Sequence, residues 1–345
     1  MSPEAPPPPQ MDINRLIRRV LVVMLVAIAL YGGLVLYRGL SQVGAEFAQY
    51  AWWTFGAACG LAFVNYILRF LKWEYYLALL DIRGVPKGES FLTFLSGFVL
   101  TVTPGKVGEV FKSLVLNQTR GVPFERSAPI VVAERVTDLI GVIAMIALGS
   151  LGFEGGLVWA AAGSGVVLAL LVFIASPQLS GTMLALLPRM PGPFGRIGAR
   201  IEPKIATAFN QLRTLTSPRR LIWPTLLSVV GWSLEGVGLW VILGGFGQDT
   251  SLPLSAFFYA TATLAGALIP LPGGLGVTDK LLEEQLAPLG GVDPVAATAA
   301  MLLIRLATLW FAVVVGFVAL GALRTRHPGL KLAADGVEGE SRDSS

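Results

Sequence analysis

Long apolar stretches separated by short polar turns dominate the chain. Runs at about 20–37, 50–68, 127–150, 156–175, 221–243 and 296–323 are each long enough, as helices, to cross a hydrocarbon layer of about 30 Å. Two further runs, 90–103 and 255–269, are only 14 and 15 residues long. Such lengths suit re-entrant or interfacial helices better than full spans. The pattern predicts an all-α polytopic membrane protein: a helical bundle with two broken, re-entrant segments.

The two short runs lead into related turns. Residues 103–110 read T-P-G-K-V-G-E-V and residues 271–278 read L-P-G-G-L-G-V-T, with Pro104 and Pro272 168 positions apart. Further along, R-V-T-D-L from Arg135 is matched by R-L-A-T-L from Arg305. Upstream, Arg69 and Glu235 stand at comparable distances before the two prolines. The repeat halves run from about 50 to 153 and from about 221 to 323. Three crossings separate the two turns, so the second enters from the opposite face, which makes the repeat an inverted one. Between the halves, 176–220 reads as an amphipathic cytoplasmic linker. Phe194, Ile197, Ile201, Ile205, Phe209 and Leu212 form an apolar stripe among basic residues, kinked or interrupted at Pro203.

Composition agrees with the pattern: 54% of residues are hydrophobic and only 14% charged. The ordered part, 15–325, reads as one transmembrane domain between disordered tails at 1–14 and 326–345. Arg15, Arg18 and Arg19, then Arg83 and Lys87, Arg120 and Arg126, the basic linker, and finally Arg324 and Arg326 fall on one side of the proposed topology. The positive-inside rule makes that side cytoplasmic. The expectation is a multi-pass protein of the plasma (inner) membrane with both termini inside. Cys59 and His327 are single. One cysteine excludes an intramolecular disulfide and a cysteine-clustered metal site, and no cofactor, metal or nucleic-acid partner is expected.

The apolar runs also contain charges. Glu134, Arg135 and Asp138 interrupt one span and Arg305 another. At a helix centre each such residue costs about 2.5–3.5 kcal/mol. They must therefore pair inside the bundle or line a wet cavity. Lys106, Glu109 and Lys112 follow the first Pro-Gly turn; Gly273, Gly274, Gly276 and Asp279 belong to the second. A helix restarting after such a turn offers free N–H groups and a positive dipole end to an anion. These eleven residues form the candidate substrate site. Arg69, Lys72 and Glu235 are secondary candidates, with Arg69 and Lys72 expected to snorkel to the cytoplasmic surface.

Three segments in order, Thr103 to Glu109, Glu134–Arg135 with Asp138, and Pro270 to Asp279, resemble the lysylphosphatidylglycerol synthetase transmembrane family, the flippase-like integral membrane proteins. Two positions depart from the family pattern: Leu271 stands where Ser or Thr is common, and Asp279 where Glu is usual. Only a short tail follows residue 325, so the synthetase's soluble aminoacyl-transferase domain is not matched and its catalysis is not carried over. The resemblance implies a non-enzymatic membrane half that moves a lipid, or a lipid-linked intermediate, between leaflets. Its partner would be a lipid with an anionic or phosphate-linked headgroup. The competing reading is a non-catalytic accessory subunit of a lipid-modifying or glycosyltransferase system, whose basic linker docks the partner enzyme.

Overall fold

The computed structural model describes residues 13–103, 109–150, 193–269 and 271–328, with isolated positions between 161 and 182. Among the described residues the regular structure is helical, with no strand. Most of the predicted span 156–175 and of both tails, together with Lys106 and Pro270, lie outside them.

The chain begins with α1 (Ile13–Arg38) and α2 (Leu40–Gln49). Next come α3 (Trp53–Leu79), α4 (Lys87–Ser96) running into a 3-10 turn (Gly97–Leu100), then α5 (Phe111–Arg120) and α6 (Phe124–Gly149). The basic α7 (Pro193–Leu215) continues through Pro203 as one helix, so the expected interruption is not seen. After it come α8 (Pro218–Gly245), α9 (Leu252–Leu268), a 3-10 turn (Pro272–Gly274), α10 (Val277–Leu286) and α11 (Pro294–Arg305). A π-turn (Leu306–Trp310) joins α11 to α12 (Phe311–Arg326).

Among the described residues, four stretches are long and apolar enough to cross a membrane: Val20–Arg38, Trp53–Leu79, Pro218–Gly245 and Pro294–Arg326. At 26 residues α6 is as long, about 39 Å, but carries Glu134, Arg135 and Asp138 in its middle. The two predicted broken segments are broken: α4 and α5 are 10 residues each, and α9 stops after 17. Helix α3 runs well past the expected end at 68, and this brings Arg69 and Lys72 inside the bundle rather than to its edge.

Helices α3, α6 and α8 form the centre, with α9 laid across α6 and α8. Small residues set these approaches. A Cβ on Gly141 of α6 would come within 3.0 Å of the Ser228 carbonyl carbon on α8, so the two backbones nearly touch. At the far end of the chain, His327 reaches Glu89 at 3.3 Å, and Arg120 donates its Nε to Glu89 at 2.7 Å. The bonds from Arg120 hold the Glu89 carboxyl below its usual range, with a smaller contribution from His327.

Candidate functional site

Lys72 is fully buried, and its ammonium meets Asp138 at 2.5 Å and donates to Ser228 Oγ at 2.8 Å. The snorkelling expectation is corrected here: with α3 continuing to Leu79, Lys72 is held in the helix interior by α6 and α8. Ser228 in turn donates to Asp138 at 3.0 Å, closing a three-membered cluster across three helices. Arg69, one turn earlier, is also buried, with its guanidinium over the Phe98 ring at 5.1 Å. It donates to both carboxylate oxygens of Glu109 at 3.3 Å.

Glu109 holds a second base. Arg135 donates to Glu109 at 2.5 Å and lies 3.2 Å from the far oxygen of Asp138. The arginine of α6 is thus paired with the carboxylate that follows the first Pro-Gly turn. Likewise, Arg305 Nε lies 2.7 Å from Asp279, the carboxylate that follows the second turn. Arg305 also donates to the Gly273 carbonyl at 2.6 Å, tying α11 to the turn itself. Gly273, Gly274 and Gly276 all have positive φ, at 59°, 67° and 82°. A side chain is disfavoured there, and three such residues within four positions let the chain reverse between α9 and α10. Asp279 accepts from the Gly276 N–H at 2.8 Å. The first turn of α10 is therefore capped by the chain's own carboxylate.

Lys112 and Glu134 make a separate buried pair, with the lysine against the faces of Trp73 and Phe94. Glu235 accepts from Asn65 Nδ2 at 2.6 Å and from the Tyr259 hydroxyl. Asn65, Tyr259 and Ser228 were not singled out in the sequence. Being neutral, they carry no alarm in an apolar run, although a buried carboxylate such as Glu235 requires neutral donors or a base nearby. Arg69, Lys72, Lys112, Arg135 and Arg305 face Glu109, Glu134, Asp138, Glu235 and Asp279. Among the described residues, this network therefore holds five bases and five acids.

Two cavities meet at this network. A polar one of about 70 Å³ is bounded by Tyr66, Arg69, Glu235, Tyr259, Arg305 and Thr308. Beside it lies one of about 240 Å³, with Thr103, Arg135 and Asp138 at its polar end and Leu139, Val142 and Leu264 on its apolar wall. Both are lined by Trp232, Thr263, Gly266, Ala267, Gly273 and Gly274. Arg135 and Arg305 thus open onto adjacent spaces with a common wall, whereas Lys112 with Glu134 stands apart.

Among curated proteins, a "UPF0104 membrane protein" of Methanothermobacter thermautotrophicus is 25% identical over 283 residues, covering 75% of this chain and 82% of that protein. The family described as the lysylphosphatidylglycerol synthase TM region matches residues 20–316, from α1 into α12. That stretch contains both turns and every candidate residue, and the chain is a membrane protein belonging to the lysylphosphatidylglycerol synthase TM region family.

Proposed function

We propose that this protein is a lipid flippase: it carries a lipid, or a lipid-linked intermediate, between leaflets with the headgroup passing through the charged interior. The observation that carries this reading is the shared wall between the cavity of Arg69 and Arg305 and the cavity of Arg135 and Asp138. The larger space is itself amphiphilic, polar at one end and lined with leucine and valine at the other. A lipid presents that same division.

The ion pairs supply a mechanism. An arginine buried in a low-dielectric interior must keep a counter-charge at every stage. Its planar fork binds phosphate as well as carboxylate, often by two parallel bonds. An anionic headgroup can therefore replace Glu109 on Arg135, and then Asp279 on Arg305, without leaving a base uncompensated. The acyl or isoprenoid chain stays in the bilayer. The polar cavity is well below the ~300–1,000 Å³ of ordinary ligand sites, so the turns must move apart for a headgroup to pass. The role is non-enzymatic, and the inverted relation of the two halves would let the same movement open each leaflet in turn.

In proteoliposomes, transfer of fluorescent phospholipids between leaflets should slow by about tenfold in Arg135→Ala and in Arg305→Ala, a barrier increase of about 1.4 kcal/mol. Both variants must retain the wild-type elution profile and circular dichroism. No transfer by the wild-type chain across phosphoglycerides and isoprenoid phosphates would overturn the reading and favour the accessory-subunit role.

The inverted arrangement has its own test. Gly88 lies at the start of α4 with open space around it, and Leu289, beyond α10, is half exposed. In a Cys59→Ala background, Gly88→Cys should react with an impermeant thiol reagent from the cytoplasmic side only. Leu289→Cys should react from the opposite side only. Labelling of both from one side would remove the inversion.

A further inference from the structure

A third space of about 630 Å³ lies between α1 and α10. Leu30, Leu34 and Tyr37 of α1 form its apolar wall. Across from them stand Asp279, Lys280, Glu283 and Glu284, all on α10. Arg38, at the end of α1, bridges the two walls through Glu283 at 2.7 Å. This groove is an order of magnitude roomier than the polar cavity inside the bundle.

The two spaces share no lining residue. The second Pro-Gly turn and the start of α10 divide them. Gly276 and Asp279 face the groove, while Gly273, Gly274 and Thr278 face the inner cavity. Across the partition, one ion pair joins the sides: Asp279 from the groove and Arg305 from the cavity. Arg305 holds the turn as well, through the Gly273 carbonyl. From outside, the corner is held by Arg38 through Glu283, which also accepts from Thr298. Only 11% of the apolar window of α1 is buried, so the groove's outer wall is a lightly packed helix.

We infer that the α1–α10 groove is the outer vestibule of the polar cavity, and that the Asp279–Arg305 pair is the closed gate between them. This rests on the flippase reading for its purpose, but the geometry stands without it. Separating the pair frees Arg305 from α10, leaves the Gly273 carbonyl as its tie to the turn, and makes the groove and the cavity one polar path. The path's outer end has an apolar wall on α1 for a lipid chain and a charged wall on α10 for its headgroup.

Thiol accessibility in detergent-solubilised protein tests the gate independently of lipid movement. The reporter is Thr308→Cys, which lines the polar cavity but neither of the other two spaces, in a Cys59→Ala background. The probe is a cationic methanethiosulfonate. Asp279→Asn keeps the shape and the oxygen that caps Gly276, and removes only the charge. It should speed modification of the reporter by tenfold or more, although it makes the vestibule less attractive to a cationic probe. Asp279→Glu should leave the reporter slow. Adding Leu30→Trp, which fills the groove, should slow the Asp279→Asn reporter again. Lys280→Cys, on the groove wall, should react no faster with Asn than with Asp or Glu at 279. If Asp279→Asn does not fold, Arg305→Gln breaks the pair from the other side and should accelerate the reporter equally. A reporter that stays slow in the folded charge-deletion variant, or stays fast behind Leu30→Trp, would overturn the inference. Gating without lipid transfer would instead discard the flippase reading and leave the gate standing.

Discussion

Lys112→Met should destabilise the protein by about 3–5 kcal/mol, and the double variant Lys112→Met/Glu134→Leu should recover most of that loss. The pair lies where water hardly reaches: the two side chains are 2% and 1% exposed. Removing the lysine leaves Glu134 as an uncompensated charge in a low-dielectric interior, which is the expensive case. Removing both leaves two apolar side chains of similar bulk, which is often neutral. Methionine isolates the charge from the packing, because its thioether retains favourable contact with the Trp73 and Phe94 rings now facing the ammonium. The measurement is unfolding of the three purified proteins in one detergent. If the single variant is as stable as the wild type, Glu134 has another compensating group and the pair is not structural. If the double variant is as unstable as the single one, the cost was lost packing rather than a stranded charge.

That contrast separates two roles that look identical in the sequence. Glu134, Arg135 and Asp138 occupy one short stretch of one helix, and each violates the apolar pattern equally. Their fates differ because α-helical geometry turns them to different neighbours. Glu134 meets Lys112 from α5, away from the cavities. Arg135, one position on, meets Glu109 and opens onto the amphiphilic cavity. Spacing alone places Glu134 and Asp138 on a common face, four residues apart, but does not say which base from which helix arrives there.

Other features were legible in the sequence because they are local. The two breaks follow from runs too short to span that lead into Pro-Gly motifs, and α4 ends at Ser96 and α9 at Leu268, upstream of those motifs. The link between Arg305 and the second turn was anticipated only as a matching distance along the chain. Its realisation as a bond to Gly273 and an ion pair with Asp279 is tertiary. The length of α3 was misjudged for a related reason. Charges at 69, 72 and 74 lower the hydropathy and suggest a membrane boundary, but two of the three are neutralised inside by partners up to 66 residues away. Asn65 and Tyr259 were missed because the group they serve, Glu235, is on a third helix.

Gly316→Ala should cost about 1–3 kcal/mol or somewhat more, while Gly321→Ala, little more than a turn away on α12, should be neutral or stabilising by up to about 1 kcal/mol. In a free helix the two substitutions are equivalent, and both would favour the helix. Here α12 crosses the 3-10 turn Gly97–Leu100 at Gly316, and an added Cβ would lie 2.5 Å from the Val99 amide nitrogen and 2.9 Å from the Phe98 carbonyl carbon. Both are backbone atoms, so no rotamer change relieves the contact. Either α12 backs away or the turn is pushed inward. At Gly321 nothing lies within 4 Å of the same added atom. The turn leads directly to Thr103, at the polar end of the larger cavity, and on towards Glu109, which anchors Arg69 and Arg135. A shift of an ångström there should therefore slow lipid transfer as well as lower the unfolding temperature, a coupling that Gly321→Ala should not show. The pair of variants, scored side by side for unfolding and for leaflet-to-leaflet transfer, separates a helix-propensity effect from a packing one. Equal tolerance of alanine at both positions would mean that the close approach of α12 does not hold the first broken segment in place.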